Sequence, residues 1–256
     1  MARGEGTGQG ECMVRRLMTG WLAMAALLLL LVPAFFLSPS FSAEGWLLRL
    51  WWLLSLSASK YGLVWTALGF FLLLGGSVKR LPAVLLPMLV VIGLGAWINE
   101  HLVKPAVAQP RPNILFLASA EAGPVLTEGA EAFYAMPDKA SRSRRLERAW
   151  AETSFPVPVL LRDHWTEETG FSFPSGHAFA AAALMAWLSL WVLCERRRHG
   201  LLPLLWGWML AVCYSRVLLG VHRPVDILVG AAEGMLLVLL AYLVLVRRSG
   251  SGKTIP

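Results

Sequence analysis

Cysteine is nearly absent, charge is thin, and neither internal repeats nor low-complexity tracts interrupt the chain. Cys12 and Cys194 map to its basic, cytoplasmic side and Cys213 to the interior of an apolar run, so no disulfide is expected. Charged residues are only 15% of 256 positions, which argues against an ordinary soluble domain. Histidines, cysteines and acids do not cluster at a recognised metal-ligand spacing, so no metal or other cofactor is expected.

What fills the chain instead is apolar sequence: 57% hydrophobic residues, 12 tryptophans and a mean hydropathy of +0.60. It comes in blocks near Leu17–Leu37, Tyr61–Val78, Leu81–Ile98, Ala178–Leu193, Leu201–Leu219 and Ile227–Val246. Each is roughly 16–21 residues, close to the length a helix needs to cross a bilayer, and the fourth is the shortest. Six spans put both termini on one side. A cleaved signal peptide is the alternative for the first block. Phe41, where a cleavage site needs a small residue, and the length of the apolar run favour a retained anchor.

The net charge of +7 raises nucleic acid as a partner, but the placement of the cations answers otherwise. Arg3, Arg15, Arg16, Lys79, Arg80, Arg196, Arg197, Arg198, Arg247, Arg248 and Lys253 all fall on one face of a six-span chain. The short loops opposite hold little beyond Arg49, Lys60 and Arg223. That asymmetry is the positive-inside pattern and sets the basic face in the cytoplasm. The expected fold class is therefore an all-α integral membrane protein of six transmembrane helices, with a small, mainly helical extracytoplasmic cap between spans three and four. Residues 1–16 form a cytoplasmic tail, 17–104 spans one to three, 105–173 the cap, 174–248 spans four to six and 249–256 a second tail. Trp46–Trp52, too short to cross, is expected along the outer surface, and a helix is expected near Ala140–Glu152.

Three polar clusters lie at the outer ends of these spans. Pro105 disfavours helix at the residue before it, so Lys104 is expected to close span three, with Arg111 on an extended segment held by Pro110 and Pro112. Read alone, these cations are also what snorkelling and a structural ion pair produce. Pro174-Ser175-Gly176-His177 leads into span four, with Ser175 as N-cap and Gly176 letting an anion approach the free N–H groups. Ser215-Arg216 ends span five, and Asp226 opens span six about a turn beyond His222, in reach of its imidazole. A carboxylate on one ring nitrogen fixes the tautomer and frees the other nitrogen. His101 and His199 read as interfacial, His164 as a structural residue of the cap, and Glu233 as pointing into the bundle two turns from Asp226.

The pattern Lys104-(six residues)-Arg111-Pro112, Pro174-Ser175-Gly176-His177 and Ser215-Arg216-(five residues)-His222-(three residues)-Asp226 resembles the three-part signature of the type 2 phosphatidic acid phosphatase superfamily. The stretch Leu161-Arg162-Asp163-His164-Trp165 through Glu168-Thr169-Gly170-Phe171 resembles the bacterial lipid-phosphatase branch of that superfamily. The resemblance implies a metal-independent phosphatase acting on membrane lipid phosphates and pyrophosphates, among them phosphatidylglycerophosphate, phosphatidate and undecaprenyl pyrophosphate. It implies His222 as nucleophile, Asp226 as its orienting carboxylate and His177 as general acid. Lys104, Arg111, Ser175, Gly176 and Arg216 would bind the phosphoryl oxygens. Its partners would be lipid substrates, with neither nucleic acid nor an obligatory protein. A lipid phosphotransferase or lipid A phosphatase fits the same motifs. A proton-coupled transporter fits them less well, because its charges would lie near the bilayer midplane.

Overall fold

A computed structural model describes residues 18–37, 45–119, 125–195 and 198–249. Cys12, Arg3, Arg15, Arg16, the Phe41–Ala43 stretch, Arg196, Arg197 and Lys253 lie outside the described residues. All regular elements among the described residues are helical. Five are long and apolar enough to cross a membrane: α1 (Met18–Phe36), α4 (Val78–Val107), α9 (Gly176–Glu195), the helix His199–Leu218 with α10 as its main part (Leu202–Leu218), and the Pro224–Val244 portion of α11 (Pro224–Ser249).

The expected second span is where sequence and structure differ most. The helix there covers only α3 (Gly62–Leu73), and it meets α2 (Trp46–Ser57) at a bend of 83°. Ser57, Ala58 and Ser59 break the run: the Ser57 hydroxyl donates to the Leu54 carbonyl at 2.6 Å, and the Ala58 and Ser59 N–H groups turn back to Ser55 and Leu56. Nor is α2 just an interfacial strip. It packs against α10, where the Trp208 indole donates to Ser57 Oγ at 2.9 Å and Ser55 is buried.

A second difference concerns Lys104, which does not end its helix. α4 widens into a π-helical stretch at Asn99–Val103, with the Lys104 N–H reaching the Asn99 carbonyl, and then runs on to Val107. The wider turn accommodates the ring of Pro105, which a tight α-helix would reject. The helix stops at Ala108, which takes a left-handed conformation with φ 49°.

Helix α9 is the axis of the bundle. It has the shortest apolar run of the six blocks, yet every residue from Ala178 to Val192 is buried. Its run of alanines lets neighbours come close, and α11 comes closest. A Cβ on Gly230 would stand 2.5 Å from the Ser175 carbonyl oxygen, and one on Gly234 would collide with the Phe179 carbonyl. Two glycines a turn apart thus let the backbones touch, the small-residue device by which helices associate in lipid. The contact matters for function because it clamps the start of α11 against the start of α9: the Ser175 N–H donates to the Asp226 carbonyl at 3.0 Å.

At the opposite end, Arg80 pairs with Glu195 at 2.7 Å and Arg198 donates to the Leu73 carbonyl, so the basic turns expected on one face do share one end. Between α4 and α9, four short helices, α5 (Pro112–Leu117), α6 (Gly129–Tyr134), α7 (Lys139–Glu152) and α8 (Val159–Glu167), build a separate apolar core around Ile114, Leu126, Phe133, Leu146 and Trp165. The expected cap helix is α7, which starts one residue before Ala140 and ends at Glu152 as expected. Trp165 ties the unit down by donating to the Leu219 carbonyl at 2.8 Å, at the turn between α10 and α11.

Candidate active site

Arg111 is the hinge of the site. Flanked by Pro110 and Pro112, it is held extended at φ −74° and ψ 148°, and its N–H donates to the Tyr134 hydroxyl at 3.0 Å. Its guanidinium, from a residue only 2% exposed, donates to the Gly170 carbonyl through Nε at 2.9 Å and to the Val221 carbonyl through Nη1 at 3.1 Å. The same Nη1 lies 3.1 Å from His222 Nε2. A guanidinium can only donate, so this nitrogen of His222 carries its lone pair and the ring proton is assigned to Nδ1. Nδ1 faces Asp226 Oδ2 at 3.4 Å, and that oxygen also accepts from the Arg223 N–H at 2.9 Å. Burial, then Arg111 and Arg216, push the His222 imidazolium well below its usual range, so the ring is neutral near pH 7.

His177 and Gly176 begin α9 beneath this pair, and Ser175 caps the helix, its hydroxyl accepting from the Ala178 N–H at 3.4 Å. Lys104 projects from the last turn of α4, where its ammonium is tied to Glu100 at 2.7 Å. A cavity of about 530 Å³ runs between these elements. Lys104, Arg111, Glu168, Gly176, His177 and His222 line its polar end, and Leu63, Val64, Leu89, Ile92 and Ala96 line an apolar arm between α3 and α4. The structure brings six of the candidate residues together: Lys104, Arg111, Gly176, His177 and His222 on the cavity wall, with Asp226 behind His222. Ser175 and Arg216 are fully buried beside them and are not on the wall.

Arg216 explains itself through partners that sequence reasoning missed. It donates to Ser55 Oγ and, through Nη2, to Glu168 Oε1 at 2.5 Å, and its Nη1 lies 3.2 Å from His164 Nε2. The second oxygen of Glu168 pairs with Arg111 Nη2 at 2.8 Å. One carboxylate thus bridges two guanidinium groups, one from each outer motif. Burial alone would raise its pKa, but Arg111 and Arg216 outweigh that and hold the carboxyl well below the usual range. His164 is pushed down to about 3 by burial and then by Arg216, so it meets that guanidinium as a neutral acceptor. The signal that could have found Glu168 was the demand side. Two arginines buried at a membrane edge need a counter-anion, and the polar stretch ahead of Pro174 is where one was available. Glu233, expected to point into the bundle, accepts from Asn99 Nδ2 at 3.0 Å and stays two turns below Asp226.

Residues 84–249 match the PAP2 superfamily, which covers well over half the chain and all three motifs, so the chain belongs to that superfamily. Among its relatives, phosphatidylglycerophosphatase B of Haemophilus influenzae is 30% identical over 230 residues, covering 81% of this chain and 88% of that protein. Phosphatidylglycerophosphatase B of Escherichia coli (strain K12) is 36% identical over 149 residues, 58% of this chain. That match spans about half (54%) of the length of the Escherichia coli protein.

Proposed function

We propose that the chain is a lipid phosphatase of the bacterial inner membrane that removes a terminal phosphate through a phosphohistidine. The observation that carries this reading is the pairing at His222: a neutral ring whose Nε2 faces Arg111 at 3.1 Å and whose Nδ1 faces Asp226, on a cavity with an apolar arm. A phosphoryl group drawn to Arg111 and Lys104 would bring phosphorus up to Nε2. His222 then attacks, the P–O bond to the lipid breaks, and His177 gives the departing oxygen its proton. In the second step His177 takes a proton from water as the water attacks phosphorus, and phosphate leaves with His222 restored. The cations and the N–H groups at Gly176 stabilise charge developing on the phosphoryl oxygens. Arg216 and Ser175 act behind the wall, the first through Glu168 and the second by fixing the start of α9. The apolar arm suits a substrate whose tail stays in the bilayer, and the relatives' name points to phosphatidylglycerophosphate, with phosphatidate and undecaprenyl pyrophosphate as further substrates.

Lys104 and Arg111 bring positive charge to the polar end of the cavity, so hydrolysis is expected to proceed without a divalent metal. The test is release of phosphate from a panel of lipid phosphates by the purified protein in excess EDTA. Full activity is expected, and complete loss restored only by one divalent metal overturns the mechanism.

In this reading the stretch from α3 to the Lys79-Arg80 turn completes the sixth crossing with the α2–α3 turn on the outer side, the termini and the Lys79-Arg80 turn are cytoplasmic, and the cap and the cavity mouth face the periplasm, as expected from the lysine and arginine asymmetry. A single cysteine at Ser141, in α7, should react with an impermeant reagent on intact spheroplasts, and one at Ser77 should not. The reverse result inverts the topology.

A further inference from the structure

The cavity holds more cations than one phosphate uses. Lys104 is tied to Glu100, and Arg111 and Arg216 share Glu168. Two further lysines line the same cavity: Lys60, in the turn between α2 and α3, and Lys139, the first residue of α7 in the cap. They come from segments far apart in the chain, and both are exposed. Among the described residues neither has a carboxylate within ion-pairing distance. Lys60 rests against the Tyr61 ring at 5.4 Å. The backbone of Lys139 is pinned, its carbonyl accepting from Thr169 Oγ1 at 3.2 Å and its helix capped by Asp138 through the Ser141 N–H at 2.6 Å. Lys139 feels the charge of Glu100, the partner of Lys104, but neither lysine is held in a direct ion pair among the described residues, and both stand beside the mouth of an anion-binding cavity.

The two-phosphate lipids differ from phosphatidate in the place where these charges stand. In a lipid pyrophosphate, or in a phosphatidylglycerol phosphate ester, a second phosphate separates the scissile one from the apolar tail. It cannot enter the Arg111–His222 cradle with the first, so it has to lie along the wall between the cradle and the lipid. An ammonium on a flexible four-carbon stem is suited to a phosphate whose distance varies with the linkage, where the fixed fork of an arginine is not. We propose that Lys60 and Lys139 form a subsite for the second phosphate of the substrate and set a preference for two-phosphate lipids over monophosphates. This rests on the phosphatase reading of the same cavity.

The experiment compares Lys60→Gln, Lys139→Gln and the double variant with the unaltered full-length protein in mixed micelles, on phosphatidylglycerophosphate, undecaprenyl pyrophosphate and phosphatidate. Exposed ion pairs are individually weak, so each single change should raise KM for a two-phosphate lipid roughly three- to tenfold, with kcat nearly unchanged. Phosphatidate should stay within about twofold, since it spends only the cradle. The double variant should also lose the extra salt sensitivity that two-phosphate lipids show with the unaltered protein. A selective rise for only one of the two linkages upholds the subsite and states which spacing it takes. An equal rise for phosphatidate, or no rise for either two-phosphate lipid, overturns it. An unaltered protein inert on all three lipids overturns the phosphatase reading itself, and the subsite with it, which separates the two failures.

Discussion

His222→Ala is expected to abolish turnover and to leave no acid-quenched, alkali-stable phosphoprotein. The reason is geometric: His222 Nε2 is the unprotonated nitrogen beside Arg111, and removing the ring leaves the cradle without a group to attack phosphorus. Its neighbours should separate by role. His177→Ala, which removes the proposed proton donor, should lose roughly 10²–10⁴-fold on an alkyl phosphate and less on an activated aryl phosphate whose leaving group needs no proton. Asp226→Asn keeps the nucleophile and disturbs its tautomer, so it should fall between the unaltered protein and the His222 variant. The pH profile adds an independent check. Protonating His222 would remove the lone pair proposed to attack, and its lowered pKa means the acid limb of kcat/KM should lie well below 6.5. A phosphoenzyme that persists in His222→Ala and vanishes in His177→Ala would mean the two roles are exchanged.

Glu168→Ala is expected to cost about 3–5 kcal/mol of stability, because it strands two buried guanidinium groups that share one carboxylate. Thermal unfolding of the purified protein in detergent measures the loss. The side chain is 13% exposed and lines the cavity, so the gap left behind is open to an anion. Added inorganic phosphate should therefore raise the unfolding temperature of Glu168→Ala more than that of the unaltered protein, by the mass action of a ligand that binds only the folded form. Glu168→Gln keeps the shape and removes the charge, so it should unfold at an intermediate temperature. An alanine variant as stable as the parent and indifferent to phosphate would show that Arg111 and Arg216 do not depend on this carboxylate.

Much of this site was legible because membrane folding simplifies the code. In hydrocarbon the backbone has to satisfy its own hydrogen bonds, so apolar length alone announces helices, and five of the six expected blocks contain a spanning-length helix. The second block holds only a shorter helix, for a local reason. Ser57, Ala58 and Ser59 turn the chain by 83°, and hydropathy does not register a bend. Pro105 misled in the opposite direction, since the expected break at Lys104 was absorbed by a π-helical turn that only the packed helix reveals. Among chemical residues, Lys104, Arg111, Gly176, His177, His222 and Asp226 could be found because each sits in a short motif with its own local spacing. Glu168 could not be found that way, for its role is defined by Arg111 and Arg216, and neither is its neighbour in sequence.

By itself, then, the sequence determined the helical class, the asymmetric placement of basic turns and the chemical groups available at the ends of the helices. Those properties depend on residue type and on separations of a few positions. The tertiary structure decided which groups meet. Gly230 and Gly234 let α11 touch α9, which sets His222 and Asp226 against the Ser175–His177 start of that helix. The cap returns Glu168 to bridge Arg111 and Arg216, and Gly170 to hold the Arg111 guanidinium. These meetings join segments far apart in the chain, and only close packing of the whole bundle supplies their geometry.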